Sequence, residues 1–153
     1  MPIICSKWEG RTLSLFVVAK IEDEEYAIGI EKVQTIEKIL PITRVPQTED
    51  YVKGVINLRG EIIPVISLRL KLGLPEKEYD EDTRIVVLKE EDMLVGLIVD
   101  NANEVVDIKE EDMDRLSFGE GKEEYSKFVT TVGKIKDRVI LLLDLHRLLG
   151  IGM

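Results

Sequence analysis

The sequence predicts an all-β protein: two small barrels packed together, with a few short helices. Three observations support this. Residues 51–73 recur in recognisable form as residues 128–150, so the chain reads as two versions of one unit. Strand-like runs follow one another at short spacing, separated by turn residues and by helices of only a turn or two, which suits a sandwich or barrel and not a parallel α/β sheet. Each half, at about 70 residues, would have a thin core alone, so the two share one along their interface.

The elements follow in order. Residues 11–20 are rich in β-branched and aromatic side chains. Residues 24–30 alternate Tyr26, Ile28 and Ile30 against Ala27 and Gly29, giving a hairpin across Glu22-Asp23. Ile30, Val33 and Ile36 or Glu37 then fall at i, i+3 and i+6 or i+7, a spacing that predicts a short helical turn with one apolar edge. Pro41 and Pro46 bracket an extended piece at 42–45, and Pro46 is placed to begin a second short helix over 47–52. A strand then runs to the turn Arg59-Gly60, returns as the apolar run 62–66, and leads into a leucine-rich helix stopped by Gly73. The acidic stretch 75–82 is the one plausible linker between halves.

In the second half, residues 83–89 and 93–100 are strands joined by Glu90-Glu91-Asp92. Residues 102–105 suit a short turn, 105–108 a strand, 109–116 a short polar helix or loop, and 117–125, with Gly119 and Gly121, a loop. The second long hairpin turns at Lys136-Asp137, returns as 139–143, and ends in a helix stopped by Gly150, which follows Gly73 by 77 residues, as Val139 follows Ile62. Val55 and Ile56, Ile62 and Ile63, and 139–143 are apolar at successive positions, as expected where one face fills a barrel and the other meets its neighbour. The expected organisation is a single domain over 1–153 with sub-barrels at about 11–74 and 82–150, exchange of terminal strands between them left open.

Thirty acidic against 21 basic residues give a net charge of -9, which repels phosphate backbones and anionic lipid, so nucleic acid is not expected as a partner. The longest apolar runs, 15–19 and 139–143, fall far short of the ~20 residues of a spanning helix, so no membrane insertion is expected. The single cysteine, Cys5, can form no intramolecular disulfide, which points to a reducing, cytoplasmic compartment. One third of the residues are charged and few are Asn or Gln, a composition leaning towards a thermophile.

Catalytic and metal-binding machinery is sparse. His146, the lone histidine, is the counterpart of Arg69 in the first copy and has no sequence-placed nucleophile beside it, so a solvent-facing or capping role is expected. The acidic clusters at 22–25, 78–82, 90–92 and 110–114 lack the alternating ligands and central glycine of a calcium loop and read as solvated turns. No glycine-rich phosphate loop is present. Two carboxylates could meet in the fold and perform acid–base work, but nothing selects a pair. No cofactor, metal or catalysis is expected.

Two surface features remain. Arg59, a bidentate donor at the end of a rigid hairpin, suits docking to a partner's carboxylate or carbonyl, or is an exposed turn residue with no partner. The apolar edge Ile30, Val33, Ile36, with Val17 adjacent, is either internal core or a groove for a partner helix.

The segment 52–69, with Asn57-Leu58-Arg59-Gly60 at its centre, closely resembles the central motif of the CheW family of bacterial chemotaxis coupling proteins. Residues 23–34 resemble that family's first hairpin and following turn, and 95–100 with 105–108 its second; the likeness runs over about 13–149. The resemblance implies two SH3-like five-stranded barrels and a non-enzymatic cytoplasmic adaptor. Its partners would be the cytoplasmic tip of chemoreceptors and the regulatory domain of the histidine kinase CheA, which bring it to membrane-bound receptor arrays. An alternative is a scaffold of the same kind in another two-component or type IV pilus pathway. By position, Ile30, Val33 and Ile36, with Val17 and Ala102 opposite, resemble the receptor groove, and Asn57 and Arg59 match the turn associated with complex assembly. Thr35 stands where the family commonly has glutamate, which puts a charged contact there in doubt. Ser67 stands where aspartate is common and can still cap the helix that follows.

Overall fold

The computed structural model describes residues 15–115 and 128–150. Cys5, the first strand's expected start at 11–14, and the loop 117–125 with Gly119 and Gly121 lie outside the described residues. Strands β1 (Leu15–Ile21) and β2 (Glu24–Gly29) form the first hairpin, and β3 (Val33–Lys38) follows a 3-10 turn at Ile30–Lys32. The first long hairpin is β4 (Val52–Leu58) and β5 (Glu61–Ser67), capped by helix α1 (Leu68–Lys71). The second half supplies β6 (Arg84–Glu90), β7 (Met93–Val99), β8 (Asn101–Asp107), β9 (Met113–Arg115), β10 (Val129–Ile135), β11 (Arg138–Leu143) and helix α2 (Leu145–Leu149).

The strands form two sheets, ordered β8-β1-β2-β11-β10-β9 and β3-β6-β7-β5-β4. Each curls towards closure. Beyond β3, Thr43 exchanges both backbone hydrogen bonds with Val55 of β4 at 2.9 Å, joining the two edges of the second sheet. In the first sheet β8 and β9, close in the chain, hold opposite edges. The sheets do not follow the expected division at 11–74 and 82–150. The 3-10 turn after β2 carries the chain across, so β3 pairs with β6 of the other copy, while β8 pairs with β1. One barrel is therefore continuous in the chain, β3 to β7, and the other is assembled from β1–β2 and β8–β11.

Three apolar clusters result. Val18, Ala27, Ile108 and Ile140 fill the first barrel, and Ile56, Ile63, Val65, Ile85, Val87 and Ile98 the second. The largest lies between them and includes Val17, Ala19, Ile28, Val86, Leu88, Leu97, Leu145 and Leu148. Adjacent residues such as Val17 and Val18, or Val86 and Val87, thus point into different cores because side chains alternate along a strand. β1 and β6 are buried on both faces in this way. Ile62 and Val139, expected to contact the neighbouring barrel, are instead 62% and 59% exposed. β5 joins β7 only from Val65, and β11 joins β2 only from Leu141, so each hairpin projects as a two-stranded ribbon before its sheet begins.

Local expectations fail where tertiary pairing overrides spacing. Residues 33–38 form a strand, because β3 finds β6 as a partner and a bulge between Val33 and Thr35 shifts the register. That extra residue returns Val33 and Ile36 to the same face, opposite Leu88 and Val86, which explains an i, i+3 apolar spacing without a helix. The helix expected at 47–52 is absent: Gln47 is a bend at φ 62°, residues 50–51 turn, and Val52 begins β4. The turn expected at 102–105 is continuous strand in β8.

Candidate functional site

The seam between the barrels brings the apolar candidates together. Ile30 and Val33 pack, partly buried, on the cluster that holds Val17 and Ala102. Val17 and Ala102 are buried in it and form a floor, whereas Ile36, beside Val86 at the sheet edge, is 37% exposed. Val105 stands next to Val17 across β8 and β1 and is also exposed, extending the apolar surface; its sequence pattern marks it only as part of a strand. β1 and β6, which carry Val17 and Val86, are buried on both faces.

On the second barrel's rim, Arg59 takes the left-handed conformation at φ 52° and Gly60 at φ 91°, the geometry a tight two-residue hairpin requires. Asn57 Oδ1 accepts the Gly60 amide at 2.9 Å and stiffens the turn. The Arg59 side chain is 72% exposed, with Nη1 3.3 Å from Glu37 of β3. Thr35 Oγ1 donates to the same Glu37 carboxylate oxygen at 2.9 Å. Glu37, two residues on and on the same face of the strand as Thr35, thus places a carboxylate beside Arg59. Ser67 caps α1 as expected, accepting from the Leu70 amide at 3.2 Å.

Two polar clamps fasten the barrels. Arg69 of α1, buried, donates from Nη1 to Asp100 at 2.7 Å, from Nε to the Pro75 carbonyl at 2.9 Å, and from Nη2 to Glu22 in the β1–β2 turn. Burial opposes its charge, but the bonds and charges of Glu22 and Asp100 prevail and raise its pKa. The hydrogen bond and charge of Arg69 in turn hold Glu22 below the ordinary carboxylate value. Opposite, His146 of α2 contacts the Glu90 carboxylate, which also pairs with Lys32 at 2.9 Å. Glu90 is 1% exposed, so the expectation that 90–92 is a solvated turn fails at its first residue. Within the first barrel, Arg138 joins Glu25 and Glu104 at 2.8–3.1 Å, and its hydrogen bond holds Glu104 low.

No group of three or more His, Cys, Asp or Glu that could hold a metal occurs among the described residues, and no helix there is long and apolar enough to cross a membrane. The described surface carries exposed apolar residues, Ile36 and Val105, near the seam and an arginine-bearing hairpin. Residues 15–151 match the family model described as a CheW-like domain. The chain is 39% identical to the chemotaxis protein CheW of Helicobacter pylori over 88% of this chain and 80% of that one, and 38% identical to that of Bacillus subtilis over 92% and 90%. Its structure superposes on the scaffolding protein TtCheW of Thermoanaerobacter tengcongensis with a TM-score of 0.81 at 31% identity, covering 93% and 94% of the two chains. The chain belongs to the CheW family of chemotaxis scaffold proteins, and its two sheets are that family's SH3-like barrels.

Proposed function

We propose that this protein acts in the cytoplasm as a non-enzymatic adaptor that couples the tips of chemoreceptors to the histidine kinase CheA. The groove supports this reading most. A helix of the receptor tip lays its apolar side on Ile30, Val33 and Ile36, over the floor of Val17 and Ala102, as helix-in-groove recognition does. Asn57 and Arg59, on a projecting and stiffened hairpin, serve assembly with the kinase's regulatory domain. The two regions are joined through β3, whose Ile36 faces the groove and whose Glu37 meets Arg59. No bond is made or broken; the protein sets the geometry of its partners.

The test is calorimetric titration of the full chain against a receptor-tip coiled coil and, separately, against the regulatory domain of CheA. Binding to both is expected, with Val33→Asp losing the first and keeping the second. Binding of neither partner by folded protein would sink the proposal.

A further inference from the structure

Glu90 ends β6 as Ile21 ends β1. Ile21 is completely buried in the inter-barrel cluster, so an apolar residue satisfies packing at this place in the fold. The second copy instead carries a carboxylate that is 1% exposed. Among the described residues, no hydrogen bond reaches either of its oxygens, and its neighbours are the Lys32 ammonium at 2.9 Å and the His146 imidazole. Burying a charge is costly, and replacing a buried ion pair with apolar residues is often neutral or stabilising, so stability does not account for Glu90. What the charge adds is an ionic hold on Lys32.

Lys32 is the last residue of the 3-10 turn Ile30–Lys32, whose closing bond is the Val33 amide donating to the Ile30 carbonyl. That turn has no side-chain cap and no buried residue of its own. Ile30 and Val33 only half bury themselves on the cluster beneath. The segment bearing two groove residues is also the crossover between barrels, and among the described residues its one ion pair is to Glu90. With His146 from α2 on the other oxygen, the carboxylate joins the crossover, β6 and α2 around a cavity of about 330 Å³.

We propose that Glu90 is a positioning residue: by holding Lys32 it fixes the turn 30–32 and so sets Ile30 and Val33 in the geometry a partner helix meets. Its effect on binding rests on the groove reading above; its effect on the turn does not.

The experiment compares the full-length protein with Glu90→Ile, which repeats the choice of Ile21 in the first copy, with Lys32→Met and with Lys32→Arg. It reads amide hydrogen exchange at residues 30–33, thermal stability, and calorimetric binding of a receptor-tip coiled coil and of the CheA regulatory domain. Glu90→Ile and Lys32→Met are expected to speed exchange of the Val33 amide roughly tenfold and to weaken receptor-tip binding roughly fivefold. Kinase-domain binding should be unchanged, and Glu90→Ile should melt no lower than the parent. Lys32→Arg should retain the parent's exchange and binding. Unchanged Val33 exchange in both Glu90→Ile and Lys32→Met overturns the proposal, as does acceleration spread evenly over the whole sheet in Glu90→Ile, which leaves no buried charge behind and would then mark general destabilisation. Faster exchange confined to the turn, with a parent that fails to bind the receptor tip, would uphold the positioning role and defeat the groove reading.

Discussion

The two copies end in helices that look alike and are anchored differently. Each hairpin carries its bulge at the same place, between Val52 and Gly54 in one and between Val129 and Thr131 in the other. Each helix then starts on a side-chain cap, Ser67 or Asp144, and stops near a left-handed glycine, Gly73 or Gly150. From α1, Arg69 reaches across the seam into two carboxylates and a carbonyl and is buried; from α2, His146 reaches one buried carboxylate and stays 50% exposed. Duplication preserved the backbone while the charge chemistry at the seam diverged. One side of the molecule is held by a saturated guanidinium, the other by a carboxylate shared between two half-open donors.

Removing the stronger clamp should have the largest effect. Arg69→Ala leaves Asp100 without its nearest cation and should cost about 3 kcal/mol in urea unfolding; a loss below about 1 kcal/mol would mean that the two clamps are equivalent. Next comes the bulge. Gly54 sits at φ 142°, and a Cβ there would lie 2.1 Å from the Thr43 carbonyl oxygen that helps close the second barrel. Gly54→Ala should therefore destabilise by about 2 kcal/mol, whereas Thr131→Ala, at the matching site, should stay within about 0.5 kcal/mol.

The caps differ less. Ser67→Ala and Asp144→Ala should each cost about 1 kcal/mol, and a much larger loss at one would show that the helices do not share a role. The smallest effect is in acid. Glu22 and Glu104 have lowered pKa values in the folded protein, so their pairing stabilises it above about pH 4.5 and is lost as the pH falls through those lowered values. Melting curves between pH 5 and 3 should fall less steeply in Arg69→Ala, which has already lost the Glu22 share; parallel curves would assign the acid sensitivity elsewhere.

The duplication, the hairpins and the rigid Arg59 turn were legible because alternation and turn chemistry are local. The exchange of the β1–β2 and β6–β7 hairpins was not, because each is an alternating apolar pair that fits either copy's sheet and only assembly decides between them. The bulge at Gln34 made Val33 and Ile36 read as helical, since a spacing of three arises equally from a helix and from a strand with one extra residue. Ile62 and Val139 read as interior because their composition says nothing about how far a hairpin outruns its sheet. Glu90 looked like part of a solvated run, and its burial depends on α2 and the crossover closing over it from distant parts of the chain. The spacing of Ile30, Val33 and Ile36 marked an apolar edge without deciding between core and surface; Ile30 and Val33 pack on the cluster that holds Val17 and Ala102, while Ile36 lies outside it and is exposed.

The nesting of the barrels also orders events during synthesis. A ribosome delivering this chain from its N-terminus releases every strand of the second barrel once Val99 has emerged, and these strands, contiguous from Val33, can close with short loops. The β1–β2 hairpin, made first, must wait for β11 before its open edge at β2 is covered, across more than a hundred residues of chain. The later barrel is the slow one, since long loops must close before its contacts form. Until then, the earliest strands to appear remain the last to be sheltered.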